Sequence, residues 1–172
     1  MMKNFTIQSY TDDYRDAVVK LILPIQQQEF GVSVTIDDQP DLLTIPSFYQ
    51  ANNGNFWIAL HEGELIGTIG LIDIGFQAGA IRKMFVRKDF RGREKGVGQA
   101  LLDTTVNWCL DHKIRQLYLG TVPQLQGAIR FYQKNGFQAV AAEELPHYFP
   151  RMAVDSEFFT KDLLGTATNT GL

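Results

Sequence analysis

Hydrophobic and polar positions change period several times along the chain, and each change marks the edge of an element. Phe5 to Tyr10 alternates, with Phe5, Ile7 and Ser9 against Thr6, Gln8 and Tyr10, which predicts a first strand. Thr11-Asp12-Asp13 then supplies a cap and early carboxylates, and Tyr14, Val18, Leu21, Ile22 and Ile25 recur at helical spacing. Pro24 falls inside that pattern, so the helix should kink or end its first segment there. Residues 31 to 54 are the least legible. Asp37-Asp38-Gln39-Pro40-Asp41 reads as a second helix start with Leu42, Leu43, Ile45 and Phe48 for its buried side, interrupted by Pro46 and closed by Asn52-Asn53-Gly54.

Two β-branched and aromatic runs follow, Phe56 to His61 and Leu65 to Ile74, joined by Glu62-Gly63-Glu64 as a hairpin. Gly75 to Gly79 reads as a turn before a strand that ends at Val86. From Gly98 to about His112 an amphipathic helix carries Val97, Leu101, Leu102, Val106, Cys109 and Leu110 on one side. Arg115 to Thr121 predicts a strand broken by Pro123, and Gln124 to Asn135 a helix closed by Gly136 as a left-handed cap, with Phe137 folding back on it. Phe137 to Ala142 resumes as a strand. Leu145 to Pro150 is a loop, and Met152 to Lys161 alternates as the last strand. The order is β-α-α-β-β-β-α-β-α-β-β.

Composition narrows the class. At 172 residues the chain predicts a single domain over residues 1–164, and 165–172 has no core residues and reads as a flexible tail. Hydrophobic content of 45% and charged content of 20% fit a globular protein. A formal charge of −3 disfavours nucleic acid as the main partner, because phosphate-backbone binding shows as a basic footprint. Cys109 is the single cysteine, so no disulfide framework forms within the chain, and its place on the apolar helix face predicts a small buried hydrophobe. His61, His112 and His147 are scattered without metal-site spacing, which predicts no metal. The N-terminus lacks the apolar run of a signal peptide and no stretch reaches bilayer-spanning length, so the expectation is a cytoplasmic protein with no membrane partner.

The candidate chemistry lies where the strand ending Met84-Phe85-Val86 runs through a basic loop into the helix at Gly98. A helix's first turn offers backbone N–H groups without intrahelical partners and the positive end of the macrodipole, and glycine lets an anion approach them. Arg91, Arg93 and Lys95 add charge there. A P-loop is excluded because Gly98 is followed by Gln99-Ala100 rather than Lys and Ser or Thr. A dinucleotide fingerprint is weak, because Leu101 stands where the third glycine belongs. What remains is R-x-x-G-x-G, filled by Arg93-Glu94-Lys95-Gly96-Val97-Gly98. The competing reading is a tight strand-to-helix turn with solvated charges, but Ser, Thr, Asn or Asp would cap that helix better than two glycines.

Met84 to Leu102, together with Gly127-Ala128-Ile129-Arg130-Phe131-Tyr132-Gln133-Lys134-Asn135-Gly136-Phe137, resembles the two signature segments of the GNAT superfamily of acyl-CoA-dependent N-acyltransferases. The resemblance covers residues 55 to 140. It implies an α/β (α+β) fold with a mixed, mostly antiparallel sheet of about seven strands and helices on both faces. It further implies acetyl-CoA as donor and a small-molecule or peptide primary amine as acceptor, with a homodimer left open as the assembly. By the same resemblance the backbone of Met84, Phe85 and Val86 pairs with the pantetheine arm. The segment Arg91, Arg93, Glu94, Lys95, Gly96, Val97, Gly98 and Gln99 holds the pyrophosphate, and Tyr132 matches the acid that protonates the leaving thiolate. On residue type alone Tyr132 reads as a core aromatic beside Phe131. Two departures stand out. Many relatives carry a glutamate base early in the strand that here reads Gly79-Ala80-Ile81, and an asparagine where this chain has Leu125. Asp73, Glu29 and His147 are open alternatives for a base, and the acceptor is expected between residues 26–50 and 143–151. A second reading is a CoA-binding sensor or an inactive interaction module.

Overall fold

The computed structural model describes residues 4–164. Seven strands form one sheet in the order β1-β2-β3-β4-β5-β7-β6. β1 (Thr6–Ser9), β2 (Asn55–His61), β3 (Glu64–Gly75) and β4 (Ala78–Val86) are an antiparallel meander. α3 (Val97–Asp111) crosses over to β5 (Gln116–Thr121), which pairs parallel to β4. α4 (Gln126–Lys134) leads to β6 (Gln138–Val140), and β7 (Glu157–Asp162) inserts antiparallel between β5 and β6.

Side-chain alternation along β2 sorts the core into two layers. Trp57 and Ala59 join Val97, Leu101, Leu102 and Cys109 of α3 on one face, with Tyr132 of α4 and Phe137. Phe56 and Ile58 join Val18, Leu21 and Ile22 of α1 (Arg15–Pro24) on the other, with Leu42, Ile45 and Tyr49. Helices therefore cover both faces of the sheet, as the resemblance implies. Between β3 and β4 the chain turns on Phe76 and Gln77, both at positive φ (59° and 61°), the signature of a tight two-residue hairpin.

Several element boundaries differ from expectation. Pro24 ends α1, one of the two outcomes expected of it, and the chain continues as a π-turn over Ile25–Glu29 that the pattern did not announce. Residues 36–48 form two 3₁₀ turns and a single α-turn, α2 (Ile45–Phe48), because Pro40 and Pro46 deny the donors that a longer helix needs. The last strand starts at Glu157, not Met152. Thr121, its partner, is the end of β5, and Val122-Pro123 turns away, so residues 152–155 have no strand to pair with and form a turn. Gly136 adopts the expected left-handed conformation, and Phe137 N–H donates to the carbonyl of Tyr132. The expected tail over 165–172 lies outside the described residues.

Candidate active site

The parallel ladder between β4 and β5 is short. It runs from Ala78↔Gln116 to Ile81↔Leu119 and stops. Beyond Ile81, β4 is paired to β3 alone (Gly70↔Arg82, Thr68↔Phe85, Gly67↔Val86), and β5 beyond Leu119 to β7 alone. The sheet is thus split open from one side. A bulge sits at the split: β4 spends one residue more than β3 between Arg82 and Phe85, with Lys83 at φ 56°. Bulges bend a strand and release its backbone from the ladder, and here the opening begins. Thr68 Oγ holds the bulge by donating to the Lys83 carbonyl at 2.7 Å.

The cavity in this opening is lined by Ile81, Arg82, Lys83, Met84 and Phe85 from β4 and by Leu119, Gly120, Thr121 and Val122 from β5. Leu125, Ala128 and Tyr132 line it from the α4 side, and Gln26, Val32, Val34, Met152, Val154 and Asp155 close it from irregular segments. Tyr132 is 5% exposed, and its ring packs on Phe131 and Phe137 with centroids 5.9 and 5.6 Å away. No buried polar side-chain atom among the described residues lacks a partner. The Tyr132 hydroxyl makes no hydrogen bond to the protein, so it opens onto the cavity. Burial raises its pKa well above the ordinary tyrosine value, so the phenol holds its proton.

The helix start beside the opening is uncapped. Gly96, the N-cap of α3, is left-handed (φ 76°, ψ 7°) and no side chain caps the first turn. That conformation favours glycine. Gly98 differs: a Cβ there would meet Met84 Cε at 3.6 Å and nothing closer, an ordinary contact. Packing within the protein therefore does not require glycine at 98. Val97 is buried and anchors the helix in the core. Arg93, Glu94 and Lys95 are exposed on the loop. Gln99 reaches across to α4, donating to Asn135 Oδ1 at 2.9 Å. Arg91 is turned toward the protein: its Nε donates to the Val86 carbonyl at 2.7 Å, and its guanidinium pairs with both carboxylate oxygens of Glu29 and lies over the Phe30 ring.

A second, outer chamber adjoins the first and shares Val34, Arg82, Met152 and Val154 with it. Ser33, Asp38, Pro40, Asp41 and Phe48 line it on one side, Arg151 and Ala153 on the other. Between the chambers lies a buried polar cluster absent from the sequence reading. Asp41 accepts from the Tyr49 hydroxyl at 2.5 Å and faces Lys83 Nζ at 3.5 Å, with the side chains of Lys83 and Asp41 3% and 5% exposed. Burial lowers the Lys83 pKa against the opposing pull of Asp41, and burial raises that of Tyr49. Gln26 and Gln39 exchange hydrogen bonds at 2.9 Å beside it.

The three residues considered as bases are elsewhere. Asp73 accepts from the backbone N–H groups of Asn53 and Gly75 at the far hairpin. Glu29 is tied to Arg91, and His147 is exposed in a loop beside Tyr148. None lines the cavity. Asp155 does, and sequence reasoning missed it because its alternating surroundings read as strand.

The sheet is thus mixed and opened between two parallel strands, with free helix amides at the opening. The chain belongs to the acetyltransferase (GNAT) family, whose model matches residues 19–137. An acetyltransferase of the GNAT family from Staphylococcus aureus Mu50 superposes with a TM-score of 0.89 at 36% identity, covering 92% of this chain and 99% of that one. N-acetylglutamate synthase from Neisseria gonorrhoeae, complexed with coenzyme A and N-acetyl-glutamate, shares the fold at a TM-score of 0.72 and 19% identity over 95% of this chain and 36% of that chain. Among curated relatives, rat (Rattus norvegicus) N-acetyltransferase 8 is 28% identical over 57% of this chain and 46% of its own length. Zebrafish (Danio rerio) N-acetylaspartate synthetase is 26% identical over 60% of this chain and 37% of its own length. The chain spans less than half the length of these curated relatives. Among the described residues no helix is long and apolar enough to cross a membrane, and no group of three or more His, Cys, Asp or Glu side chains is placed to hold a metal ion.

Proposed function

We propose that the protein is an N-acetyltransferase that passes an acetyl group from acetyl-CoA to a primary amine of a small molecule or peptide. The observation that carries this reading is the split between β4 and β5, with a partnerless Tyr132 hydroxyl inside it and the uncapped start of α3 beside it. The free backbone edge of Met84, Phe85 and Val86 offers strand-like pairing to an extended amide-bearing arm. The first-turn amides of Val97, Gly98 and Gln99 offer a pyrophosphate site, with Arg93 and Lys95 nearby as exposed charges. The structural neighbour crystallised with coenzyme A supports this choice of donor.

Catalysis then has two requirements. An alkyl amine with a pKa near ~10.4 arrives protonated and must lose a proton before its lone pair can attack. The departing thiolate must gain one, and Tyr132, kept neutral by burial, is the donor in reach of the opening. Aligning the two reactants in the cleft contributes further, up to ~7–11 kcal/mol in well-oriented systems. The outer chamber between residues 33–48 and 151–154 is the route for the acceptor. An acetyl-CoA titration followed by thermal unfolding tests the reading. Ligand at a hundred times its Kd should add ~2.7 kcal/mol, and an unmoved melting curve at millimolar acetyl-CoA rejects it.

A further inference from the structure

We propose that Asp155 is the general base of this reaction: its carboxylate stands in the same cavity as Tyr132 and takes the proton from the acceptor ammonium. The inference rests on the N-acetyltransferase reading and deepens it.

Asp155 is brought to the opening by two features of the chain. The turn that replaces the expected strand is fastened at both ends, Asp155 N–H donating to the Met152 carbonyl at 3.1 Å and Ser156 N–H to the Thr121 carbonyl at 3.0 Å. Position 120, on β5 beyond its ladder with β4, is glycine. A Cβ there would come within 2.7 Å of Asp155 Oδ2, so the carboxylate occupies the space that any other residue would fill. That places a carboxylate over the β5 arm.

The other ionisable groups of the cavity wall are committed. Lys83 faces Asp41, and Asp41 is itself engaged by the Tyr49 hydroxyl. Arg82 donates to the Pro150 carbonyl. No side chain among the described residues donates a hydrogen bond to Asp155; the Met152 backbone N–H interacts with its carboxyl and favours the charged form. Arg82 and Lys83 face it from β4 and Arg151 from its own segment, and all three favour its charged form. Burial outweighs them, so the carboxyl is a stronger base than an ordinary aspartate.

The proton balance closes without a further reactant. An alkylammonium and a thioester give an amide, a thiol and one free proton. Asp155 accepts the first proton from the ammonium and passes it to solvent through the cavity. The nitrogen lone pair attacks the thioester carbon, the C–S bond breaks with its electron pair going to sulfur, and Tyr132 protonates that sulfur. The second proton leaving nitrogen as the amide forms restores the Tyr132 phenol.

The test uses the whole chain, acetyl-CoA and a set of primary amines comprising a diamine, amino acids and short peptides, with CoA thiol release as readout. Asp155→Asn keeps the shape and removes the proton acceptor. It should leave the acetyl-CoA-induced rise in Tm unchanged, lower kcat/KM about 10²–10⁴-fold, and abolish the acidic limb of the wild-type pH profile. Asp155→Glu should recover part of the rate. A readout free of any acceptor is the titration of the Asp155 carboxyl by ¹³C NMR with acetyl-CoA bound, expected above the reference value of ~3.9. A carboxyl titrating at or below ~3.9, or Asp155→Asn within about threefold of wild type, overturns the assignment. A wild type whose Tm ignores acetyl-CoA fails differently: it removes the N-acetyltransferase reading, and this assignment with it.

Discussion

The two arms of the cleft are built by different means. One arm, β4 with α3 and α4, is regular secondary structure whose working groups are backbone amides, a strand edge and one hydroxyl on a helix. The other, residues 25–49 and 151–156, is made of π, 3₁₀ and turn segments whose working groups are side chains clustered by tertiary contact, Asp41, Tyr49, Gln26, Gln39 and Asp155, with Lys83 reaching in from the β4 bulge. Backbone sites depend on a few positions that admit no Cβ and tolerate variation elsewhere. Side-chain clusters depend on every member, since a buried charge left without its partner is costly. On the N-acetyltransferase reading proposed above, the first arm takes the donor and the second the acceptor.

The sharpest way to probe this contrast is Tyr132→Phe, which removes one hydroxyl from the regular arm. It should lower kcat about 10²–10⁴-fold while acetyl-CoA binding and Tm stay nearly unchanged. Because burial raises the Tyr132 pKa, no alkaline fall in wild-type kcat below pH ~10 should trace to this phenol. Equal kcat for the two proteins, with chemistry rate-limiting, would reduce Tyr132 to packing.

On the irregular arm the largest effect should be on stability. Asp41→Ala strands the Lys83 ammonium and should cost about 3–5 kcal/mol at neutral pH, read by denaturant unfolding. The folded-state pKa of Lys83 lies below its ordinary 10.5, so the unfolded chain binds more protons in that window and stability rises with pH across it. The loss in Asp41→Ala should therefore shrink toward pH ~10. A loss that is independent of pH would mean that Lys83 is not the source.

Gly98→Glu returns to the regular arm and should act on binding alone. Its Cβ has room in the protein, so the fold should survive while the ~2.7 kcal/mol of acetyl-CoA stabilisation disappears. Lys95→Ala, an exposed charge on the same loop, should change that stabilisation by under about 1 kcal/mol. The reverse ranking would make the loop a side-chain site and erase the contrast.

Legibility followed the same division. Gly136 with Phe137 after α4 is a local signal, set by a conformation that few residues adopt, and it reads correctly from sequence, whereas the left-handed Gly96 that starts α3 one residue earlier than expected does not. The β2–β3 hairpin was equally local. The Lys83–Asp41–Tyr49 cluster joins residues distant in sequence through an irregular segment, so no period announces it. Asp155 was hidden by an alternation that predicts a strand, since the pattern carries no word of where β5 ends and leaves 152–155 without a strand to pair with. Arg91 shows what a loop motif leaves out. A basic residue in a phosphate-like loop reads as a ligand, yet its donors are turned to Val86 and Glu29, which a loop motif has no means to encode.

Cys109 bears on how all of this is measured. It is the chain's single cysteine, fully buried under α3, and burial pushes its thiol up to about 12. The thiolate is the nucleophile that attacks a thiol reagent, so the buried, protonated Cys109 of the folded protein should be silent toward such reagents at neutral pH. The colour that develops in a thiol-release assay then counts liberated CoA with no blank from the enzyme. In the absence of acetyl-CoA, the same reagent becomes a clock for opening of the α3 core, because only a molecule that has exposed Cys109 can react.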